Sequence, residues 1–497
     1  MTDSINITLS RLEEAARRTP DKAAFLEPGG KTLTFAGLCA SAYAAAAAIR
    51  AVLPEGDGPV VLLADRTAET AAAIYGAIAA GTWYVPLDPD IPPERMRVYL
   101  SVCRPSLVLT HGGLERPFDF SGIPVVDTSL LAPLTEFVPA ARPDTLPAFG
   151  IFTSGSTGMP KLVVKSRRAV EAFLDVYCRA FRLTEDEIFG NQIPFFFDAS
   201  TKDLFATVWL GATTVLLPGR CFTFPLELIR TLNETRVTTA VWVPSVLSYA
   251  ARFGVLAAAK PETLRRVLFV GERMPVRTVN AWREALPETE FINLYGSTEV
   301  AGNSCFYRLN RPFADGDVLP IGRPFDGTRV FLLDPETGLP APEGEICVAG
   351  PGLAEGYFGD AERTAAAFVN VTLPDFTGRV YRSGDYGRVN EFGELVCVSR
   401  RDSQIKYLGH RIELGDIEVA AASLPYVNAA VCFFHEEKEK IILCAAAPAD
   451  CKAQLRADLE KLLPDYMLPH RFRFFDEFPL NRNGKTDRAK LRELCGI

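Results

Sequence analysis

From about residue 58 the chain alternates short β-rich runs with helical stretches. The runs PVVLLA, TWYVPL, SLVLT and IPVV predict strands, whereas residues 67–79 and 93–102 predict helices. Strands and helices that alternate in this way are typical of βαβ units around mostly parallel sheets. Similar alternation continues over residues 151–301. The pattern therefore predicts an α/β fold whose N-terminal part contains two α/β subdomains.

The pattern changes after residue 301. Gly, Pro and strand-like segments such as GTRVFLLD and GEICVAG dominate up to about residue 398, which predicts a β-rich lobe. The last hundred residues predict a small α+β domain, with helices near 415–423 and 452–463 and strands near 429–434, 440–446 and 472–475. The polar segment SRRDSQ, where few apolar side chains could bind two lobes rigidly, is the expected boundary. We therefore expect a large N-terminal domain over 1–400 and a small, mobile C-terminal domain over 401–497.

Composition narrows the class of protein. With 497 residues, of which 48% are hydrophobic and 23% charged, the chain is long enough for two or three packed subdomains and too apolar to be disordered. The net charge of −8 and the scattered Lys and Arg leave no basic stripe, so we expect no nucleic-acid partner. The eleven cysteines form no C-x-x-C pair and the four histidines are isolated, which disfavours a zinc or disulfide framework.

Two segments bear on location. The N-terminal residues have no charged head followed by an apolar core, so they do not resemble a secretory signal and we expect a cytoplasmic protein. The most apolar window, residues 71–87, contains Gly76, Gly81 and Pro86, which divide it into a helix, a turn and a strand. This interpretation favours a buried α/β layer, and we expect no membrane insertion.

The segment FTSGSTGMPK, residues 152–161, concentrates hydroxyls, glycines and one lysine in ten positions. Gly155 and Gly158 permit backbone angles that aim successive N–H groups at one anion, and Lys161 adds positive charge. The hydroxyl donors are Thr153, Ser154, Ser156 and Thr157. The segment is not a Walker motif, because Met159 and Pro160 follow the last glycine. It predicts a phosphate-binding loop, and the alternative is a flexible polar turn.

TSGSTGMPK closely resembles the phosphate-loop signature of the adenylate-forming superfamily, which includes acyl-CoA synthetases, luciferases and the adenylation domains of nonribosomal peptide synthetases. Further segments resemble family motifs in the family's order: LTFAGL, YVPLDPDIPPER, FFDAS, NLYGSTE, GEICVAGPGLAEGY, YRSGDYGR, SRRDSQIKYLGHRIELGDIE and NRNGKTDRAKL. Such collinearity over nearly the whole chain is not expected by chance. The resemblance implies an ATP-dependent ligase that uses Mg²⁺ to convert a carboxylate into an acyl-AMP with release of pyrophosphate.

The resemblance also implies roles for single residues. Lys485 corresponds to the family lysine that bridges the substrate carboxylate and the α-phosphate during adenylation, and a positive charge there suits two repelling anions. Thr298 is expected at the α-phosphate, and Glu299 on the magnesium ion, for which a hard oxygen ligand is suitable. The resemblance implies that Tyr295 lies against the adenine ring, Asn293 near its exocyclic amine, and Asp385 on the ribose hydroxyls. The expected nucleotide contacts are completed by Gly271, Glu272, Gly296, Ser297 and Arg400.

Asp402 matches the family hinge, about which the small domain rotates between adenylation and thioester formation. In that rotation Lys485 is expected to leave the site and residues 406–411 to enter it. Lys406 and Gly409 are then expected to border the tunnel for a phosphopantetheine arm, where a glycine leaves room. The resemblance therefore implies one active site that serves two half-reactions.

Asp198, in FFDAS, decides the expected substrate class. Amino-acid-activating members carry an aspartate here to pair with the substrate α-ammonium, and a buried carboxylate without a cationic partner would be costly. The expected pocket comprises Phe197, Asp198, Ala199, Lys202, Trp242, Leu268, Val270, Leu294, Gly302, Asn303 and Lys485. Lys202 could pair with an acidic substrate side chain, with Asp203 or with solvent, whereas Trp242 would favour a small side chain. The identity of the amino acid substrate stays open, and these residues weakly favour a small or polar side chain.

We expect a stand-alone enzyme without an attached carrier domain, because the length and layout resemble those of D-alanine carrier-protein ligases. The expected partner is a separate carrier protein that bears phosphopantetheine. Two alternatives remain: an acyl- or aryl-CoA ligase of the same superfamily, and a non-catalytic nucleotide-binding scaffold. Leu162, Arg167 and Ser399 depart from the family's usual residues, although none of these departures removes a catalytic group.

Overall fold

The computed structural model describes residues 6–56, 58–112, 118–154, 159–400, 404–479 and 486–497, without the side chains of residues 399, 400, 437 and 489. The helices run over Ile7–Arg18, Phe35–Val52, Ala68–Ala80, Pro93–Cys103, Arg167–Phe181, Thr201–Leu210, Arg220–Thr223, Pro225–Glu234, Pro244–Arg252, Val255–Ala258, Val276–Ala285, Ala361–Ala367, Leu414–Ala422, Lys452–Leu462 and Arg488–Leu494. Their order among the strands confirms the predicted α/β class.

The described residues form a first large sheet of seven strands. In spatial order these are Gly356–Tyr357, Lys161–Ser166, Pro147–Thr153, Trp83–Leu87, Pro59–Leu63, Leu107–Thr110 and Val125–Asp127. The last five are mutually parallel, and the first two are antiparallel additions at one edge. The strand Pro147–Thr153 ends where the candidate phosphate segment begins, so that segment leaves the carboxyl end of a parallel strand.

A second large sheet has nine strands in the described part of the chain. Their spatial order is Arg323–Pro324, Cys305–Arg308, Glu290–Tyr295, Arg266–Val270, Thr239–Trp242, Ile188–Asn191, Thr213–Leu216, Ala23–Leu26 and Thr32–Thr34. Six central strands are parallel, and antiparallel strands close both edges. A shared hydrophobic core joins the two large sheets, because residues of both belong to the same cluster, including Tyr84, Phe149, Phe189 and Leu268.

The predicted β-rich lobe is a five-stranded antiparallel sheet. It contains Arg329–Leu333, Glu343–Ala349, Phe376–Val389 and Phe368–Leu373, with Leu395–Arg400 paired to the long strand. The C-terminal part has a two-stranded hairpin, Gln404–Tyr407 and His410–Glu413, and a three-stranded sheet of Ala429–His435, Lys440–Ala446 and Arg471–Phe475. Its helices cover a separate hydrophobic cluster that includes Ile417, Leu443 and Leu459. The division at residues 400 and 401 stays a prediction.

The apolar window of residues 71–87 has the predicted form. The helix Ala68–Ala80 starts at Thr67, whose hydroxyl accepts the N–H of Thr70, and ends at Gly81 with φ of +79°. The buried strand Trp83–Leu87 follows. Among the described residues one helix, Phe35–Val52, is long and apolar enough to cross a membrane by length and composition, whereas Ala68–Ala80 is apolar but shorter. The helix Phe35–Val52 packs closely on Ala68–Ala80, since a Cβ at Gly76 would lie 2.5 Å from that of Ala45.

Candidate active site

A cavity of about 320 Å³ lies where several parallel strands of both large sheets end. Ligands of open α/β sheets bind at this edge. The lining comes from the N-terminal part and from the C-terminal hairpin, and it includes Thr153, Ser154, Phe197, Asp198, Ala199, Lys202, Val243, Val270, Gly271, Gly296, Ser297, Thr298, Gly302, Asn303, Lys406, Gly409 and Arg411. Most of the predicted site residues therefore meet in one place.

The described part of the phosphate segment offers donors to an anion. The Thr153 hydroxyl is buried and has no hydrogen-bond partner in the described structure. The Ser154 hydroxyl donates to the carbonyl of Arg411 at 2.9 Å and accepts the N–H of Glu413 at 3.0 Å. Burial lowers the pKa of Lys161, against the opposing effect of Glu299. Buried hydroxyls usually have partners, so the orphaned Thr153 oxygen fits a phosphate ligand.

Seven predicted residues cannot be placed with these groups. Gly155, Ser156, Thr157, Gly158, Asp402 and Lys485 lie outside the described residues, and the side chain of Arg400 does too. Their roles stay predictions.

Glu299 is fully buried, and both of its carboxylate oxygens accept hydrogen bonds. Arg411 Nη1 donates to Oε2 at 2.7 Å, and the Tyr357 hydroxyl donates to Oε1 at 2.9 Å. Burial would raise the pKa of Glu299, but Arg411 and Lys161 outweigh it and lower the pKa to about 2. Glu299 is therefore an anion, and its partner in this arrangement comes from the C-terminal hairpin.

A second cavity, of about 280 Å³, shares Lys161, Tyr357 and Arg411 with this cluster and adds Arg382 and Glu345. Its cations suit an anionic group beside Glu299. Among the described residues no three His, Cys, Asp or Glu side chains gather to hold a metal. A single carboxylate still fits Mg²⁺, because this ion is commonly held by one or two carboxylates together with substrate phosphates and water.

Of the residues predicted to contact the nucleotide, Tyr295, Asp385 and Glu272 bond to one another or to the C-terminal hairpin, whereas Asn293 does not. The Tyr295 hydroxyl donates to Asp385 Oδ2 at 2.7 Å, which joins the residue expected against adenine to the one expected on the ribose. Glu272 accepts the N–H of Gly409 at 2.6 Å, and burial raises its pKa. Asn293 instead donates to the carbonyl of Pro320 at 2.8 Å, and it does not line the cavity. Its predicted contact with an adenine amine is not supported by this position.

The prediction that Trp242 fills the pocket is wrong. Its ring is fully buried in a second hydrophobic cluster, and its indole N–H donates to the carbonyl of Gly190 at 2.7 Å. Side chains alternate between the two faces of a strand, so the neighbouring Val243 points to the cavity instead. Leu268 and Leu294 are also corrected, because both lie in the main core and not in the cavity lining.

Asp198 has a partner that the sequence reasoning missed. Lys165, on the strand Lys161–Ser166, is fully buried and donates through Nζ to Asp198 Oδ1. The cationic partner expected for Asp198 is therefore present within the protein, and the expected contact with a substrate α-ammonium stays a prediction. The Asp198 side chain keeps 11% exposure and lines the cavity. A lysine inside an apolar strand was the available signal, since a lysine is almost never fully buried without a partner.

The hairpin Gln404–Glu413 closes one side of the cavity. His410 lies between aromatic rings, with centroid distances of 3.6 Å to Tyr466 and 4.6 Å to Phe197. Burial lowers the pKa of His410 to about 3, so this imidazole is neutral. Arg95 pairs with Asp416 at 3.4 Å and adds a further contact between the N-terminal and C-terminal parts.

Comparison with known proteins identifies the family. A family model described as AMP-binding enzyme matches residues 12–358, and one described as AMP-binding enzyme C-terminal domain matches 416–485. A plipastatin synthase protein of Bacillus subtilis (strain 168) is 35% identical over 490 residues, which cover 96% of this chain and 19% of that protein. The chain spans about a fifth or less of the length of the curated relatives it matches.

Solved structures of adenylating enzymes have the same fold as this chain. Holo-PA1221, an NRPS protein containing adenylation and PCP domains, superposes with a TM-score of 0.85 and 26% identity, covering 98% of this chain and 84% of that one. The o-succinylbenzoate CoA synthetase (MenE) from Bacillus subtilis has a TM-score of 0.84 over 97% of this chain and 98% of its own, and at 22% identity it shows the fold alone. The predicted resemblance and the predicted fold class are confirmed.

Proposed function

The chain belongs to the AMP-binding enzyme family of adenylate-forming ligases, and on that premise we propose that it activates the carboxylate of an amino acid and transfers it to a carrier-protein thiol. The observation that carries the proposal is Asp198. Its Oδ1 accepts from Lys165, and its Oδ2 has no hydrogen bond among the described residues while the side chain lines the cavity. A substrate α-ammonium would donate to this second oxygen in a charge-assisted bond.

In the first half-reaction a carboxylate oxygen of the amino acid attacks the α-phosphorus of ATP, and pyrophosphate leaves. ATP would be held by Thr153, whose buried hydroxyl has no partner in the described structure, by Ser154, which lines the same cavity, and by Lys161, which lines the adjoining second cavity. Magnesium, bound through Glu299 and the phosphates, would neutralise charge on the triphosphate. Lys485 is proposed to align the two reacting anions, since fixed positive charge there favours the in-line geometry.

In the second half-reaction a phosphopantetheine thiol attacks the acyl-AMP, and AMP leaves. The arrangement of the hairpin supports this proposal, because Gly409 and Arg411 lie in the cavity and Arg411 already neutralises Glu299. Magnesium and the pyrophosphate are gone at that stage, so Glu299 needs another cation. PA1221, which is similar over nearly the whole chain, contains adenylation and PCP domains, and this favours a carrier protein as the acceptor.

One observation favours a second candidate, a CoA ligase of the same family. Lys165 compensates the charge of Asp198 without any substrate, so the aspartate does not by itself require an amino acid. In that case the acid would lack an ammonium group and the acceptor would be coenzyme A.

ATP–pyrophosphate exchange tests the proposal without knowledge of the acceptor. The panel contains L- and D-amino acids, aryl acids and fatty acids, and we expect exchange with an amino acid. Exchange only with acids that lack an amino group would contradict the proposal and support the CoA ligase. The Lys485→Ala variant should lose exchange while it transfers preformed aminoacyl-AMP at nearly the wild-type rate, and equal loss of both steps would exclude two separate states.

A further inference from the structure

Four ionisable side chains meet around the start of the helix Thr201–Leu210. They are Lys165, Asp198, Lys202 and Asp203; the two lysines and Asp203 are buried, and Asp198 is nearly so. Within this described cluster, Lys165 and Asp198 form the one ion pair. Asp203 accepts from Asn191 Nδ2 at 3.1 Å through Oδ2, and its Oδ1 is buried without a partner in the described structure. The cluster therefore holds one ion pair, and its other two members, Lys202 and Asp203, form no ion pair in the described structure.

Lys202 is the group with unused donors. An ammonium has three N–H donors, and the only hydrogen bond that Lys202 makes in the described structure is to the carbonyl of Ala199 at 3.5 Å, the long limit for such a bond. No carboxylate of the described chain lies within 4 Å of its Nζ, although Asp203 is its neighbour in sequence. Lys202 nevertheless lines the cavity, with 1% exposure. A buried ammonium whose N–H donors lack acceptors is unfavourable in free energy unless a ligand accepts hydrogen bonds from it.

The charges of the cluster indicate which ligand fits. Lys165 and Lys202 carry two positive charges, and Asp198 supplies one negative charge. Burial raises the pKa of Asp203 to about 7, so this carboxyl is only partly ionised near neutral pH. The α-ammonium of a substrate with a neutral side chain would add a third cation beside the Asp198 carboxylate. A substrate that brings one more negative charge would instead hold the net charge of the cluster at +1 or below, against as much as +2 with the neutral side chain.

We propose that the activated acid carries a second carboxylate, and that this group accepts hydrogen bonds from Lys202. The inference rests on the proposed amino acid activation and makes the substrate an acidic amino acid. Lys165 is the partner that hydrogen-bonds to Asp198, whereas Lys202 feels Asp198 and Asp203 only at a distance and hydrogen-bonds to neither carboxylate in the described structure. Arg66 supports the same conclusion, since it also lines the cavity and its hydrogen bonds in the described structure go to the backbone carbonyls of Gln192 and Leu217.

The first experiment compares substrates on the unaltered protein. ATP–pyrophosphate exchange is measured with glutamate, aspartate, their amides glutamine and asparagine, alanine, and glutarate. We expect kcat/KM for one acidic amino acid to exceed that for its amide by about 100-fold or more, because a site built for a charged group rejects its neutral analogue. A neutral amino acid as the best substrate, or no exchange with any dicarboxylate, would overturn the inference.

The same panel separates this inference from the proposed function. Exchange with alanine but not with glutamate or aspartate would leave amino acid activation standing and remove the second carboxylate. Exchange with glutarate alone would support the second carboxylate and contradict amino acid activation.

The second experiment changes Lys202. The Lys202→Met variant keeps most of the side-chain volume, and we expect it to raise KM for the acidic amino acid by about 100-fold while the Kd for ATP stays within threefold. Discrimination against the amide should disappear in the same variant. Lys22→Met is the matched control, because Lys22 bonds to the carbonyls of Glu185 and Gly211 outside the cavity. Unchanged discrimination in Lys202→Met would overturn the inference, and the substrate comparison stands independently if the variant does not fold.

Discussion

Arg411 Nη1 lies 2.7 Å from Glu299 Oε2, so a residue of the C-terminal hairpin occupies the carboxylate expected to bind magnesium. One oxygen of Glu299 cannot serve this guanidinium and a metal ion at the same time without weakening both bonds. The contact therefore links the position of the hairpin to the nucleotide state: the hairpin is favoured when magnesium and pyrophosphate are absent. This favours a hairpin that enters after adenylation, as the proposed two-step reaction requires.

We expect Arg411→Gln to affect the two half-reactions differently. The variant leaves Glu299 buried without its cation whenever the hairpin is inserted, and breaking a buried pair in this way costs about 3 kcal/mol or more. Transfer from preformed adenylate to the thiol should fall by roughly 100-fold or more, on the scale of about 1.4 kcal/mol per factor of ten. ATP–pyrophosphate exchange should stay within a few-fold of wild type. Greater loss of exchange than of transfer would contradict the link.

The close approach of Gly409 to Val243 allows a second, steric test of how the hairpin enters the cavity. Its φ is +82°, and a Cβ there would lie 2.8 Å from Cγ1 of Val243. Gly409→Ala should therefore lower the transfer rate and spare pyrophosphate exchange, because the alanine cannot approach the cavity wall without a shift. The matched control is Gly393→Ala, which carries a similar φ of +73° but would meet nothing within 4 Å. Both changes incur the left-handed backbone cost of about 1–2 kcal/mol, so only a difference between them reports the contact.

The sequence predicted the fold class and the elements of the C-terminal part well, because their apolar runs are strongly patterned. The structure has helices at Leu414–Ala422 and Lys452–Leu462, each within a few residues of its predicted position. Motif matching also placed Thr153, Thr298 and Asp198 around one cavity. These groups follow strands of different sheets, and only the known order of family motifs connected them.

Two parts of the site could not be predicted for physical reasons. The strand Thr239–Trp242 has period two, so a shift of one position exchanges the cavity face for the core face and moves Trp242 out of the pocket. The pairing of Lys165 with Asp198 joins residues 33 positions apart on different elements. Local sequence contains no information on such a contact beyond an unexpected lysine in a buried strand.

The Lys165–Asp198 pair predicts a characteristic pattern of stabilities. Asp198→Ala leaves Lys165 buried and unpaired, which should lower the free energy of unfolding by about 3–5 kcal/mol. The double variant Asp198→Ala with Lys165→Met removes both charges and should recover most of that loss, yet pyrophosphate exchange should stay low in both variants. Unfolding in denaturant measures the stabilities.

The exposed pair Arg168–Asp144 serves as the control for this cycle. Asp144→Ala should change the free energy of unfolding by about 1 kcal/mol or less, because solvent screens exposed pairs. Equal losses at both pairs, or no recovery in the double variant, would show that Asp198 and Lys165 do not depend on one another.

The protonation of Lys202 predicts how substrate use depends on pH. Burial lowers the pKa of Lys202 to about 8, although Asp198 and Asp203 oppose the shift and Lys165 adds to it. The ammonium needed for a substrate carboxylate is therefore present below pH 8, and kcat/KM for the acidic amino acid should fall about tenfold per pH unit above it. Lys202→Arg should remove this decline, because a guanidinium stays charged up to a pKa above 12.

Measurements of thermal stability distinguish this decline in kcat/KM from unfolding of the protein. The folded-state pKa of Lys202 lies below its ordinary value of 10.5, so between about pH 8 and 10.5 the unfolded chain binds more protons and the contribution of Lys202 to stability rises with pH. Asp203 has a raised pKa of about 7, so its contribution falls only between its ordinary value of 3.8 and about 7 and is level above that. At pH 9 the protein should therefore lose activity while these two groups cause no loss of thermal stability. A thermal midpoint that falls in parallel with kcat/KM, in wild type and Lys202→Arg alike, would attribute the decline to unfolding and not to Lys202.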